Sequence, residues 1–389
     1  MPANTVPLVI IGAGPYGLAL SAQCKHLGVE HVVFGSPMSL WRDHMPRGMV
    51  LRSHADWHLD PLEEYTLERY AVESGLDRSE PDPIPLSHYL AYAEWFQQRR
   101  GLTADRREVT RLDAAGSGFA VTLDDDSVVD ADQVVVATGL GACPHVPDEL
   151  AAALPEGRYS HSGDRVDLAT FTGRSCLIVG GRQSAFEWAA LAAEHGAAEV
   201  HVSHRHPTPV FAPADWSWVT PLLERFDSDP AWYRTMAPDE QDAITERMWR
   251  IGRLQLEAWL APRIDRPEVR LWPNSQIRSC HEDPEGGLLV ALDTGRSLAV
   301  DHVLLATGYR MDVARLGFLA SGSALAGVRV DGGFPVLDEH FQSTVPGLYF
   351  TNKFAVRDFG HFFDFTAAAR VSARIIADHV RLGLPATSR

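Results

Sequence analysis

Two short apolar runs, Leu8–Ile11 and Cys176–Val179, each give way to a glycine-bearing turn and then to an Ala-rich stretch. An unbroken apolar run of this length predicts a strand buried on both faces, and the stretch after each turn predicts a helix. The same pairing of patterns returns further along. Gly118–Asp124 followed by Val128–Gly139 reads as strand, acidic turn and strand, closing on Ala137-Thr138-Gly139. Leu288–Asp293 followed by Leu298–Gly308 repeats it, closing on Ala306-Thr307-Gly308. Gly12 and Ala137 are 125 positions apart, and Gly180 and Ala306 are 126 apart. Two independent signals at matched spacing mark an internal repeat. The expected fold class is therefore α/β, with two Rossmann-like dinucleotide-binding units, each carrying a β-meander before its Ala-Thr-Gly strand.

Between the copies, Pro144–Arg174 is rich in Pro, Gly and Ala and reads as a hinge. The second copy carries an insertion at about 207–265. Its first part, Pro207–Val219, is rich in Pro and Trp. Within 239–260, Ile244, Met248, Ile251 and Leu254 fall at helical spacing after a Pro238-Asp239-Glu240 start. Trp216, Trp218, Trp232, Trp249 and Trp259 either line a pocket or, more plainly, form the core of a helical hairpin. The tail predicts a strand at Gly347–Phe350 and a helix from about Thr366 to Val380, with Thr366 as N-cap.

Composition narrows the partners. The chain has 389 residues, 45% of them apolar, enough for two ample cores. A net charge of −16 disfavours nucleic acid and anionic membranes. Cys24, Cys143, Cys176 and Cys280 form no C-x-x-C pair, which argues against a zinc site or a redox disulfide. Leu8–Ile11 is too short for a membrane span, so the expected setting is soluble, reducing and cytoplasmic.

The turns carry the chemistry. Gly12-x-Gly14-x-x-Gly17 completes the dinucleotide pattern, with Pro15 at the head of the helix, whose N-terminus attracts a pyrophosphate. The second strand, His31–Phe34, is expected to end in an acidic residue for the ribose; Gly35 and Ser36 stand there instead, leaving Ser36 or the backbone for that bond. In the second turn Gly180 and Ala185 hold the outer places, but Arg182 occupies the middle one, followed by Gln183 and Ser184. Arg182 is a surface residue on a vestigial turn, a block to the cradle, or a guanidinium gripping the pyrophosphate. Arg205, in His204-Arg205-His206 after the next strand, lies where the 2′-phosphate of NADP is bound in such units.

These residues resemble the class B-like flavoprotein monooxygenase group: flavin-containing monooxygenases, Baeyer–Villiger monooxygenases and ornithine/lysine N-hydroxylases. The resemblance rests on Gly12-x-Gly14-x-x-Gly17, Ala137-Thr138-Gly139-x4-Pro144-x-x-Pro147, Gly180-Gly-x-Gln183-Ser184-Ala185-x-Glu187 and Ala306-Thr307-Gly308-Tyr309. It covers nearly the whole chain, although the group's linker fingerprint is partial, with only Gly157 and His161 in place. It implies a glutathione-reductase-like architecture, with FAD on 1–150 and 310–389 and NADPH on 151–309. It further implies transfer of one oxygen atom of O2, by way of a C4a-hydroperoxyflavin, to a small amine or thioether. Thr366 and Gly360 would then lie against the flavin. Trp41, Arg52, His54 and His58 would line its face, with Arg52, His54, His58 and His361 as candidate catalytic groups. His361 has a plainer reading as a histidine packed among phenylalanines. Two alternatives stand beside this reading: an oxidase or dehydrogenase with a disused nicotinamide site, and a non-catalytic flavin-binding partner. Neither substrate identity nor oligomeric state follows from the residues; a homo-oligomer is compatible with them.

Overall fold

The computed structural model describes residues 5–53, 56–76, 83–284 and 286–384. Each copy opens as its pattern dictates. In the first, strand β1 (Val6–Ile11) leads through the glycine turn into helix α1 (Pro15–Leu27) and then β2 (His31–Phe34). After an excursion that includes helix α2 (Leu86–Arg100), the chain forms β3 (Val109–Ala115), β4 (Gly118–Leu123) and β5 (Val128–Val136). In the second copy, β6 (Tyr159–His161) precedes β7 (Ser175–Val179), helix α3 (Gln183–Glu194) and β8 (Glu199–His204). The insertion contributes α4 (Val219–Ser228) and α5 (Pro238–Gly252). There follow β9 (Val269–Pro273), the meander β10 (Ile277–Glu282), β11 (Leu288–Leu292) and β12 (Ser297–Val300), and then β13 (His302–Leu305). The tail adds β14 (Leu348–Phe350) and helix α6 (Ala369–Gly383).

The first sheet runs β2-β1-β5-β4-β3, with β14 also parallel on β5; the second runs β9-β8-β7-β13-β6, all parallel. β5 serves two roles. Its first half pairs antiparallel with β4, and its second half lies parallel to β1 in the register Val9↔Val134 and Ile11↔Val136. In the second copy the same element is split at Asp301, whose carboxylate takes the Ser175 N–H at 2.8 Å, so β12 closes the meander and β13 joins the sheet. β1 and β7 are central in their sheets and are fully or nearly buried, which explains why neither alternates polar and apolar positions.

Helix α5 starts at Pro238 with Asp239 and Glu240 in its first turn, as predicted, but it ends at Gly252 and leaves Leu254 outside. A Cβ at Gly252 would lie 2.9 Å from the Trp216 ring, so the last turn of the helix packs closely on that ring. The tail helix differs from expectation too. Residues 366–368 form a separate helical turn, α6 begins at Ala369, and its N-cap is Ala368 without a side-chain bond. Thr366 is buried with its Oγ1 3.4 Å from Ser53 Oγ, so its hydroxyl faces a loop of the first copy rather than a helix end. Trp216 and Trp232 belong to the core that α4 shares with the tail, among Phe359, Phe362 and Phe363. Trp249 is 42% exposed.

Candidate functional site

Both glycine turns sit at the carboxyl ends of central strands, the place where open α/β sheets bind ligands. The three glycines of the first turn are there for different reasons. Gly12 has φ +113°, and a Cβ on it would come within 2.5 Å of the Ala137 carbonyl oxygen. At Gly17 an added Cβ would fall 1.8 Å from the Gly12 oxygen. The chain itself requires both. Gly14 has ordinary backbone angles, φ −79° and ψ −170°, and nothing lies within 4 Å of where its Cβ would be. Folding does not require a glycine there. The open space faces the uncapped first turn of α1, which carries no acidic residue. Beside it the Thr138 hydroxyl is buried without a hydrogen-bond partner among the described residues. An anion on the α1 N–H groups fits this cradle.

The second turn keeps the part its own fold requires. Gly180 has φ +152° and would meet the Ala306 oxygen at 2.5 Å. Arg182, in the middle place, is extended with φ −115° and forms the N-cap of α3, so the substitution carries no strain. Its Nη1 donates to the Arg253 carbonyl at 2.7 Å. Burial pulls the Arg182 guanidinium below its ordinary pKa, and the charges of Arg253 and Arg205 act in the same direction. Two further arginines therefore lie near Arg182, Arg253 with its guanidinium turned to Asp364. Arg253, just past the end of α5, was not among the residues singled out in the sequence, because nothing in the local pattern ties the insertion to the turn. Gln183 is buried, with Oε1 accepting the Glu257 N–H at 3.1 Å, while Ser184 is exposed. Arg205 is exposed at the end of β8, and the His206 ring lies over Gly181.

The Ala-Thr-Gly elements lie at the join between the copies. Ala137 donates to Ile11 at 2.8 Å, and Gly139 has φ +71°. The Thr307 hydroxyl donates to the His145 carbonyl, and the Gly308 carbonyl accepts from the His145 N–H and lies 3.0 Å from His161 Nε2. Past β2, Ser36 lies in a loop that folds back so that Met38 donates to Ala13 at 3.0 Å. An acidic residue does stand at this strand end: Asp105, brought in from the segment before β3, bridges Phe34 and takes the Gly35 N–H on its carbonyl. Its carboxylate is paired with Arg107. Spacing along β2 could not reveal it.

The remaining candidates separate into two groups. Trp41 packs against Tyr89, with ring centroids 5.2 Å apart. Arg52 donates to Glu257 Oε1 at 2.7 Å and to the Gly252 and Ile251 carbonyls at 2.7 and 3.2 Å. His54 lies outside the described residues. His58 is buried, its Nε2 2.8 Å from Arg370 Nη1; burial, and then the Arg370 charge, lower its pKa to about 3, so its ring is neutral near pH 7. In the tail, His361 Nδ1 is 2.9 Å from Asp364 Oδ2. Burial pushes the Asp364 carboxyl up, but Lys353, the His361 hydrogen bond and Arg253 outweigh it and hold the group ionised. Asp364 also pairs with Lys353, and Arg253 reaches it at 3.5 Å. The tail is tied to α1 by Tyr16, whose hydroxyl lies 2.6 Å from the Phe365 carbonyl and 3.1 Å from that of Phe363. Gly360 was expected to let the backbone approach a flavin. It has φ +79°, and the Tyr233 ring lies 2.7 Å from where a Cβ would be, so the insertion packs closely on its Cα.

The model of the pyridine nucleotide-disulphide oxidoreductase family matches residues 6–351. The chain belongs to that family. It is 26% identical over 265 residues to the trimethylamine monooxygenase of Roseovarius sp. strain 217, covering 61% of this chain and 59% of that protein. It is 31% identical over 166 residues to the FAD-dependent urate hydroxylase of Xanthomonas campestris pv. campestris, covering 40% of this chain and 35% of that one. The chain thus spans about a third to three-fifths of the length of these curated relatives. Among solved structures, the Kutzneria sp. 744 ornithine N-hydroxylase superposes with a TM-score of 0.78 at 16% identity, covering 97% of this chain and 99% of that one. A flavin-containing monooxygenase from Stenotrophomonas maltophilia gives 0.67 at 18%, covering 96% and 98%. These likenesses establish the fold, two Rossmann-type layers in one chain. Among the described residues no helix is long and apolar enough to cross a membrane. The four cysteines are buried and unpaired.

Proposed function

We propose that this member of the family is an FAD-dependent monooxygenase driven by NADPH, acting on a small amine or thioether. Residues 1–150 and 310–389 would hold FAD and 151–309 NADPH. The observation that carries this reading is the pair of turns with different fittings: an open Gly14 cradle in the first copy and an arginine cluster in the second. Gly12, Gly14, Pro15 and Gly17 would hold the FAD pyrophosphate on the N-terminus of α1, with Thr138 beside it. Arg182 and Arg205 would hold the phosphates of NADPH; they supply the cations needed by a 2′-phosphate, which NADH lacks. Bound flavin supplies the chemistry, accepting hydride from NADPH and activating O2. The chain's own residues bind, orient and exclude water. Tyr16 would fix the tail over the head of α1, the insertion would cover the tail through Tyr233, and Asp364 would hold the His361 ring in one orientation.

Arg182 fits the gripping reading better than the blocking one because it is unstrained and half-buried beside two other arginines, with no carboxylate paired to it among the described residues. The experiment is titration of the purified protein with NADPH and NADH. The expected result is a yellow protein that binds NADPH at least tenfold more tightly than NADH. A colourless protein, or equal affinity for the two nucleotides, counts against the proposal.

A further inference from the structure

Arg52 occupies a place that neither its sequence neighbourhood nor the two turns explain. It follows the strand Val50–Leu51, in the excursion of the first copy. Its guanidinium uses three donors on one segment of the insertion: Nε to Glu257 Oε1 at 2.7 Å, Nη1 to the Gly252 carbonyl at 2.7 Å and Nη2 to the Ile251 carbonyl at 3.2 Å. The two carbonyls belong to the last turn of α5, whose acceptors have no partner within the helix. Arg52 therefore caps a helix of the second copy from the first. The ion pair is largely removed from water, with side-chain exposures of 16% for Arg52 and 11% for Glu257.

Both ends of this latch are anchored on the same face of α3. The Glu257 N–H donates to Gln183 Oε1 at 3.1 Å, and the Val50 N–H donates to Glu187 Oε1 at 2.8 Å. Gln183 and Glu187 are four residues apart, so they project from one side of the helix. The result is a closed circuit from Val50 through Arg52, Glu257 and Gln183 back to Glu187. Two features of the second turn hang on this circuit. Arg182 immediately precedes Gln183, and Arg253 stands between Gly252 and Glu257, both of which Arg52 holds. The Arg182–Arg253 contact depends on the same short segment.

We propose that Arg52 is a positioning residue for the second nucleotide site. By clamping residues 251–257 it places the Arg253 carbonyl that holds the Arg182 guanidinium, and so sets how tightly the phosphates of NADP are held and how strongly NADP is chosen over NAD. This rests on the NADPH reading above. Arg52 touches no nucleotide and acts wholly through the Arg253 carbonyl and Arg182.

The test is calorimetric titration of the FAD-loaded protein with NADP+ and NAD+, comparing wild type with Arg52→Gln, Arg52→Lys and the double variant Arg52→Met/Glu257→Met. Arg52→Gln should raise the NADP+ Kd about tenfold while the NAD+ Kd changes much less, shrinking the discrimination. Arg52→Lys keeps the charge but lacks the planar fork, so its NADP+ affinity should fall between wild type and Arg52→Gln. The double variant removes both buried charges and restores thermal stability, because no ion is left unpaired. It should still bind NADP+ as weakly as Arg52→Gln, separating positioning from folding. NADP+ and NAD+ affinities at wild-type values in the double variant overturn the inference. A wild type that binds neither nucleotide overturns the NADPH reading itself, and the inference with it.

Discussion

At the scale of single residues, the two turns show which atoms the fold demands and which it leaves to a ligand. Gly17→Ala drives a methyl into the Gly12 carbonyl and should destabilise the protein by about 3 kcal/mol, read as a lowered melting temperature. Gly14→Ala meets no protein atom. It should leave the melting temperature of flavin-free protein within about 2 °C of wild type, yet abolish retention of FAD, measured as the ratio of absorbance at 450 and 280 nm. In the second turn, Arg182→Gly introduces no strain and should weaken NADPH binding at least tenfold; tighter binding instead would identify Arg182 as a block. Glu187 gives a pH dependence. Burial raises its carboxyl from the ordinary value to about 7, against the Val50 N–H and the charges of Arg263 and Arg52. A carboxyl raised on folding makes the folded state hold the extra proton, so stability is lost as pH rises from about 4.5 to about 7. The loss is about 3 kcal/mol by linkage. Denaturant titrations at pH 5 and pH 8 should therefore show Glu187→Gln gaining on wild type at the higher pH.

At the scale of elements, α6 of the tail packs along α1, and one phenol of α1 also ties down the segment before α6. Tyr16 lies in a helix buried from Pro15 to Cys24, and its hydroxyl reaches the carbonyls of both Phe363 and Phe365. Tyr16→Phe should cost about 1 to 3 kcal/mol of stability and raise the rate of FAD loss, measured by flavin fluorescence after dilution. Elements whose identity lies in their own pattern were legible from the sequence. β1, β7, the strand pairs β4–β5 and β11–β12 and the first Ala-Thr-Gly strand read correctly because buried strands and their turns are encoded locally; the second Ala-Thr-Gly run, expected as one strand from Leu298, breaks at Asp301. The end of α5 and the start of α6 were not. Each is decided by a partner far along the chain: Arg52 takes the last carbonyls of α5, and Thr366 turns toward Ser53 instead of capping α6. Asp105 at the end of β2, and Arg253 beside Arg182, escaped for the same reason. The candidate site was legible where glycines and strands carry it, and illegible where loops from one copy meet the other.

At the scale of the whole molecule, one chain carries two Rossmann-type layers, joined at the Ala-Thr-Gly strands. Pro144 and Tyr309 bridge there, and His145 and Arg310 exchange backbone bonds with Gly308 and Cys143. The first layer would bind the flavin that does the chemistry, and the second the nucleotide that supplies electrons. The most direct measurement is anaerobic mixing of the purified protein with NADPH, followed by absorbance at 450 nm. NADPH alone is expected to bleach the flavin, and admitting O2 to restore the colour. A protein that carries flavin but stays yellow with NADPH, and bleaches only with an organic substrate, would contradict the NADPH reading.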